Sequence, residues 1–199
     1  AGNNAYYACS RCGKVYKDEA GKTETTAEDE VLAVLPSIAL GDCGKNLTWV
    51  LTEDGTLTIS GEGEMANYSS SSVAPWYSKR TKILSVVIEP GVTGVGAYAF
   101  YACLKLAEVE LPEGMSYIGQ GAFQDCANLK AVKIPEGVTS IGSSAFSDCS
   151  SLTSVSIPDG VMSIGGSVFS GCSGLTSVSI PEGVTSIGES AFYGCSNLK

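Results

Sequence analysis

From residue 83 onward, apolar and polar positions return on a fixed clock of 23 residues. Cysteine marks it most plainly, at Cys103, Cys126, Cys149, Cys172 and Cys195. Phe100, Phe123, Phe146, Phe169 and Phe192 stand three residues before these, and Gly91, Gly114, Gly137, Gly160 and Gly183 stand twelve before. A period of this length predicts a solenoid, because each unit is too small to bury its own apolar face and must stack on its neighbours. Units open at Ile83, Leu106, Leu129, Leu152, Leu175 and Leu198, giving five complete repeats and the start of a sixth.

The unit 152–174 reads LTSVSIPDGVMSIGGSVFSGCSG. Its opening, Leu152-x-x-Val155-x-Ile157, predicts a strand with those three side chains inward. Successive strands of this kind form a parallel concave sheet. Pro158 lacks the amide hydrogen that a ladder needs, so the strand stops there. Gly160 permits the reversing turn. On the return, Val161 and Ile164 face the same core, Val168 and Phe169 add a second inward pair, and Cys172 closes the coil. The Ser-Val-Phe-Ser-Gly stretch is too short for an α-helix and predicts a turn or a 3-10 segment. Stacking then sets phenylalanine on phenylalanine, each ring contributing about 2–3 kcal/mol by burial.

The first unit departs from the rest. Later units have proline at 112, 135, 158 and 181, where it has Glu89, and its outer strand positions, Leu84 and Val87, are apolar as if something covers them. Immediately upstream, Leu47, Trp49 and Leu51 alternate, Glu53-Asp54-Gly55 turns the chain, and Leu57 and Ile59 alternate on the way back. This predicts a β-hairpin with one apolar face, followed by a serine-rich loop and a short helical turn opened by Pro75-Trp76-Tyr77. Three segments follow: 1–40, a Cys-x-x-Cys segment that is partly extended or linker; 41–82, a β-hairpin capping module; and 83–199, the repeats. The sequence stops on Asn197-Leu198-Lys199 without a polar capping unit, as expected for a piece of a longer protein.

Charge narrows the partners. The net charge is −9 and no run of lysine or arginine occurs, so nucleic acid and anionic membrane surfaces are not expected ligands. No apolar stretch is long enough to span a bilayer, and no signal peptide is visible. The cysteine spacing argues against a disulfide framework. Equivalent residues in stacked coils lie about 4.8 Å apart with parallel side chains, whereas a disulfide needs converging Cβ atoms about 3.8 Å apart. Buried free thiols acting as small apolar fillers are expected, and these suit reducing or oxygen-free surroundings.

The sequence contains no histidine, which removes the commonest general base and metal ligand. No serine sits in a nucleophile-elbow context, and Glu108 and Glu110 share a strand facing water as an ordinary surface pair. No enzymatic activity and no cofactor are expected. Cys9-x-x-Cys12-Gly13 is half of a zinc-ribbon pattern, but a closed structural site needs four ligands. Bound zinc, a local disulfide and free thiols all stay open there.

The concave face is the candidate binding surface. Its outward positions are Leu84, Ser85 and Val87; Ala107, Glu108 and Glu110; Lys130, Ala131 and Lys133; then serines and threonines in the later units. The candidate set is Leu84, Val87, Glu108, Glu110, Lys130 and Lys133, with Glu110 beside Lys133 forming a polar strip. Trp, Tyr and Arg, which dominate binding hot spots, are missing from this face. Tyr98, Tyr101, Tyr117 and Tyr193 lie on the turn side instead.

The phrase I-P-E-G-V-T-S-I-G-x-x-A-F-x-x-C at 134–149, returning at 180–195, closely resembles the BspA-type leucine-rich repeats, also called the Treponema pallidum type, of bacterial surface proteins. Departures are small: Met162 and Met115 replace Thr and Val, and Val168 replaces Ala. The stretches Cys43 to Trp49 and Gly55 to Gly61 resemble the segment that often precedes these repeats in Firmicutes surface proteins. The resemblance implies a right-handed, mainly β solenoid in a cell-surface or secreted setting, with a role in protein binding or adhesion and no shared catalytic residues. It points to a monomeric module whose partner is a host, matrix or neighbouring-cell protein. A passive structural spacer is the alternative, as is a targeting appendage for an enzyme lying outside this sequence.

Overall fold

A computed structural model describes residues 6–8, 15–17, 37–69 and 72–199. Strands β1 (Tyr6–Ala8) and β2 (Val15–Lys17) pair antiparallel. Cys9, Cys12 and the charged stretch after Lys17 lie outside the described residues, and so does the question of what the two cysteines hold.

The cap is a three-stranded antiparallel sheet in the order β3 (Ser37–Gly44), β4 (Leu47–Thr52), β5 (Thr56–Gly61). The hairpin β4–β5 follows the alternation of Leu47, Trp49, Leu51, Leu57 and Ile59, all of which are buried. Its turn is fixed by Asp54, whose carboxylate accepts from the Thr52 hydroxyl at 2.6 Å and from the Thr56 amide at 3.0 Å. Gly55 completes the turn at φ 88°, a left-handed value that favours glycine. The third strand, β3, was not foreseen, and it straddles the boundary expected between residues 40 and 41. Its alternation is blurred by Gly41 and Gly44 and by two register shifts against β4.

The cap meets the repeats edge to edge. Strand β5 pairs in parallel with β7 (Ser85–Ile88), which pairs with β9 (Glu108–Glu110), so one five-stranded sheet runs from cap into solenoid. This corrects the expectation that the hairpin covers Leu84 and Val87. It extends the sheet and leaves its outer face open: Leu84 is 45% exposed and Val87 half-buried. The absence of proline at 89 has the same cause. The Glu89 amide donates to the Ile59 carbonyl at 2.9 Å, a bond that proline could not make.

Beyond β9 the concave face continues through a bridge from Ala131 to Ser154 and through β12 (Ser154–Ser156) pairing β14 (Ser177–Ser179). The return side carries short parallel strands: β6 (Gly63–Glu64), β8 (Val92–Val95), β10 (Tyr117–Ile118) and β11 (Ser140–Ile141) in one sheet, then β13 (Ser163–Ile164) with β15 (Ser186–Ile187). The coil closes through two left-handed positions. One holds Tyr98, Gly121, Ser144, Ser167 and Ser190, and the other holds Ala102, Asp125, Asp148, Gly171 and Gly194.

The core is a set of columns. Phe100, Phe123, Phe146, Phe169 and Phe192 stack with centroids 5.1–5.7 Å apart and planes within 13°. Trp76 heads the same column. It stacks on Phe100 at 5.5 Å, meets Trp49 edge-on at 5.6 Å, and its Nε1 donates to the Ala99 carbonyl at 2.8 Å. Thus Trp76, just ahead of a 3-10 helix over Tyr77–Lys82, takes the place a phenylalanine holds in each repeat. Trp76 lies ahead of the first 23-residue unit, so no repeat position flags it as core.

The described cysteines are free, and all except the half-buried Cys195 are buried. Four of these thiols also bond backward. Cys126, Cys149, Cys172 and Cys195 donate to the carbonyls of Phe100, Phe123, Phe146 and Phe169 at 3.1–3.2 Å. Cysteine is therefore both filler and tie: it packs like a small hydrophobe and satisfies the preceding coil's carbonyl.

Candidate binding face

Three outward columns cross the concave sheet. Strand register places Thr58, Val87 and Glu110 in one column and Thr56, Ser85 and Glu108 in a second. The second continues through Ala131, Ser154 and Ser177. The third is carried by coil-to-coil amide bonds from Ala107 to Leu84, Lys130 to Ala107, Thr153 to Lys130 and Thr176 to Thr153. Leu84, Val87, Glu108, Glu110 and Lys130 thus share one surface. Along the solenoid axis it passes from apolar to acidic to basic to hydroxyl-bearing.

Lys133 makes a different contact from the one expected. Its Nζ bonds Glu113 Oε1 at 2.9 Å, Glu113 lying in the turn that follows Pro112. Both side chains are well exposed, so the pair contributes little to stability. The bond raises the Lys133 pKa by favouring its charged form. Sequence register alone could not show this, because a long lysine reaches past its stacking neighbour to the next loop.

The later coils are quieter for a physical reason. The hydroxyl of Thr153 turns back onto the Lys130 carbonyl at 3.4 Å, and that of Thr176 onto the Thr153 carbonyl at 3.0 Å. These hydroxyls serve the stack.

The described thiols of the repeats are shifted away from reactivity at neutral pH. Burial pushes Cys103 and Cys172 up to about 12, and Cys126 and Cys149 are raised well above the ordinary thiol value of 9.0 by the same cause. A reactive cysteine needs the opposite shift. Among the described residues no group of three histidine, cysteine, aspartate or glutamate side chains is placed to hold a metal ion. No helix among them is long and apolar enough to cross a membrane.

The turn side, where Tyr98, Tyr101, Tyr117 and Tyr193 are expected, also receives Tyr77 from the cap. Tyr77, Tyr98 and Tyr101 meet there, whereas Tyr117 lies in β10 and Tyr193 on the last coil is 75% exposed. The available signal was Tyr98 itself, standing where later units have Gly121, Ser144, Ser167 and Ser190.

A family model described as BspA type leucine rich repeat region matches residues 76–199 in six copies. Its first copy begins on Trp76, the head of the aromatic column. A leucine-rich repeat protein from Eubacterium ventriosum is similar in structure, with TM-score 0.70 and 30% identity over 81% of this chain and 42% of that one. A leucine-rich cell surface protein from Faecalibacterium prausnitzii gives TM-score 0.59 and 27% identity over 78% and 52%. The leucine-rich repeat protein of T. pallidum gives 0.52 and 27% over 78% and 89%. The chain therefore spans about half the length, or less, of the first and second of these relatives. Among curated proteins none matches.

Proposed function

The chain belongs to the BspA-type leucine-rich repeat family, and we propose that it acts as a non-enzymatic module outside the cell, binding a protein ligand through its concave face. The observation that carries this reading is a contrast between inward and outward positions in one array. Inward, each complete unit repeats the same chemistry: leucine or isoleucine opening the strand, valine or isoleucine within it, then phenylalanine and cysteine. Outward, the chemistry changes at equivalent places: Leu84, Ala107 and Lys130 in one column, Ser85, Glu108 and Ala131 in another, and Val87, Glu110 and Lys133 in the third. Stacking dictates the first set and places no demand on the second. A patterned surface on a rigid frame is what specific recognition uses. That one similar protein is described as a cell surface protein supports the extracellular setting.

The test is binding of the full 199-residue chain to immobilised fibronectin, laminin and collagen by surface plasmon resonance. A paired charge-reversal variant, Glu108→Lys with Glu110→Lys, serves as the comparison. Saturable binding to one of them that weakens in the variant supports the concave face. Silence across the panel favours the spacer reading, and binding indifferent to the reversal moves the site elsewhere.

A further inference from the structure

A second candidate site lies on the turn side, where the 3-10 helix meets the first two coils. Tyr77, Tyr98 and Tyr101 wall a groove of about 550 Å³ whose lining is completed by Gln124, Ser69 and Val73, with Ala74 beneath. The rings are held firmly. Tyr77 and Tyr101 lie parallel at 6.5 Å, and Tyr98 stands edge-on to Tyr101 at 6.1 Å. Arg80 sits over the Tyr77 ring at 4.1 Å and donates to the Tyr77 carbonyl at 3.0 Å. The Tyr101 hydroxyl bonds Asp125, whose carboxylate raises the Tyr101 pKa. Tyr98 rests on Gly121, where any β-carbon would run into the tyrosine ring.

Tyr98 is the informative residue. Its backbone is left-handed, φ 53°, at a place where the later coils use glycine or serine. A bulky side chain in that region is strained, and such strain persists where the surroundings impose it, commonly at functional sites. The core does not need this ring. Ser144, Ser167 and Ser190 close their coils without one, and Tyr98 stays half-exposed. Gly121 is matched to it across the coil interface. Two departures from the repeat thus serve one aromatic wall.

The lining also selects a ligand class. None of the seven described lining residues is charged, although the chain carries a net charge of −9. Arg80 and Asp125 are engaged with the walls. An ionic ligand would be desolvated there without a partner. Flat ring faces favour C–H bonds, while a carboxamide both donates and accepts. We propose that this groove binds a neutral glycan, with the C–H face of a pyranose against the tyrosine rings and its hydroxyls reading Gln124 and the tyrosine hydroxyls. This goes beyond the concave-face reading and uses a different surface, so either can fail alone.

The test uses the full chain with lactose, cellobiose and N,N′-diacetylchitobiose as probes, read by saturation-transfer difference NMR. Saturation should reach the ring C–H protons of at least one disaccharide. Tyr98→Ser installs the residue that later coils already hold, so it should fold, and it should weaken binding about tenfold or more, the scale of a truncated aromatic anchor. Gln124→Ala should weaken it without altering thermal stability, and Tyr193→Ala should bind as the parent does. Silence with all three sugars overturns the proposal. So does binding that survives both Tyr98→Ser and Gln124→Ala, or a groove that takes a proline-rich peptide and no sugar.

Discussion

Replacing Phe146 with alanine removes the middle ring of the aromatic column. The ring is fully buried and lies between Phe123 at 5.4 Å and Phe169 at 5.7 Å. Stripping a buried phenylalanine to alanine costs about 3–5 kcal/mol, counting lost transfer energy and the cavity together. Two considerations place this site at the upper end. Each aromatic pair adds about 0.5–1.5 kcal/mol beyond area burial, and two pairs are lost. The cavity cannot easily collapse either, because the Phe146 amide is tied to the Val168 carbonyl at 2.9 Å in the next coil. Phe192 is the internal control. It holds the same place in its coil but is half-buried and, in this column, meets Phe169 at 5.6 Å on one side. Its truncation should cost about 1–2 kcal/mol. Urea unfolding followed by far-UV circular dichroism, with slopes compared, measures both. Equal losses, or a loss below about 1 kcal/mol for Phe146→Ala, would mean that the stacked rings do not carry the stability assigned to them.

Trp76→Phe should keep a ring over Phe100 but leave the Ala99 carbonyl without its donor, costing about 1–2 kcal/mol in the same urea assay. Glu89→Pro removes the amide that reaches Ile59; a loss of about 1–3 kcal/mol is expected, with reduced hydrogen-exchange protection along Thr56–Gly61. Gly121→Ala forces a methyl against the Tyr98 ring at φ 57° and should lower stability by about 1–3 kcal/mol. Ser144→Gly, at the equivalent place in the next coil, should change stability by less than about 1 kcal/mol in either direction. The described thiols predict alkaline lability. Their folded pKa values lie above the ordinary 9.0, reaching about 12 for Cys103 and Cys172, so the stabilisation is complete below pH 9 and is lost as pH climbs toward 12. Each such thiol adds a slope of about 1.4 kcal/mol per pH unit in that window. Cys126→Ala combined with Cys149→Ala should flatten the slope of unfolding free energy against pH, and an unchanged slope would refute burial as its cause.

The repeating part of the fold was legible because stacking makes one physical demand over and over. Leu152, Val155 and Ile157 fell inward, Pro158 ended the strand, and the phenylalanines met their copies. The cap was legible only in part. Its hairpin follows a period of two, but β3 carries glycines and shifted register, and Trp76 enters the aromatic column from a loop with no repeat to flag it. The pairing of Lys133 with Glu113 was hidden for another reason, since register fixes where a lysine starts and not where its ammonium ends. The concave columns could be written from the repeat alone. The tyrosine groove could not, because it joins residues 77, 98, 101 and 124 across the cap and two coils.

In an array of this kind, information about function resides in departures from the repeat, and they fall into two groups. Some are required by the stack itself. Glu89 replaces proline so that its amide can reach the cap, and Trp76 replaces phenylalanine where the column begins. Removing either should damage folding, which is why neither says anything about a ligand. Others leave the stack indifferent. Glu108 and Glu110 project outward from a strand that would pair equally well bearing serine, as Ser154–Ser156 does, and Lys130 projects from the same face. Tyr98 goes further, since its coil would close at less backbone cost with the residue its neighbours use. A costly departure that the core does not need is the strongest pointer this chain contains, and it lies beside a groove rather than on the face the fold class would nominate. Stability measurements can therefore sort the two groups before any ligand is known: Tyr98→Ser should leave the unfolding free energy unchanged or raise it, while Trp76→Ala should lower it by about 3–5 kcal/mol.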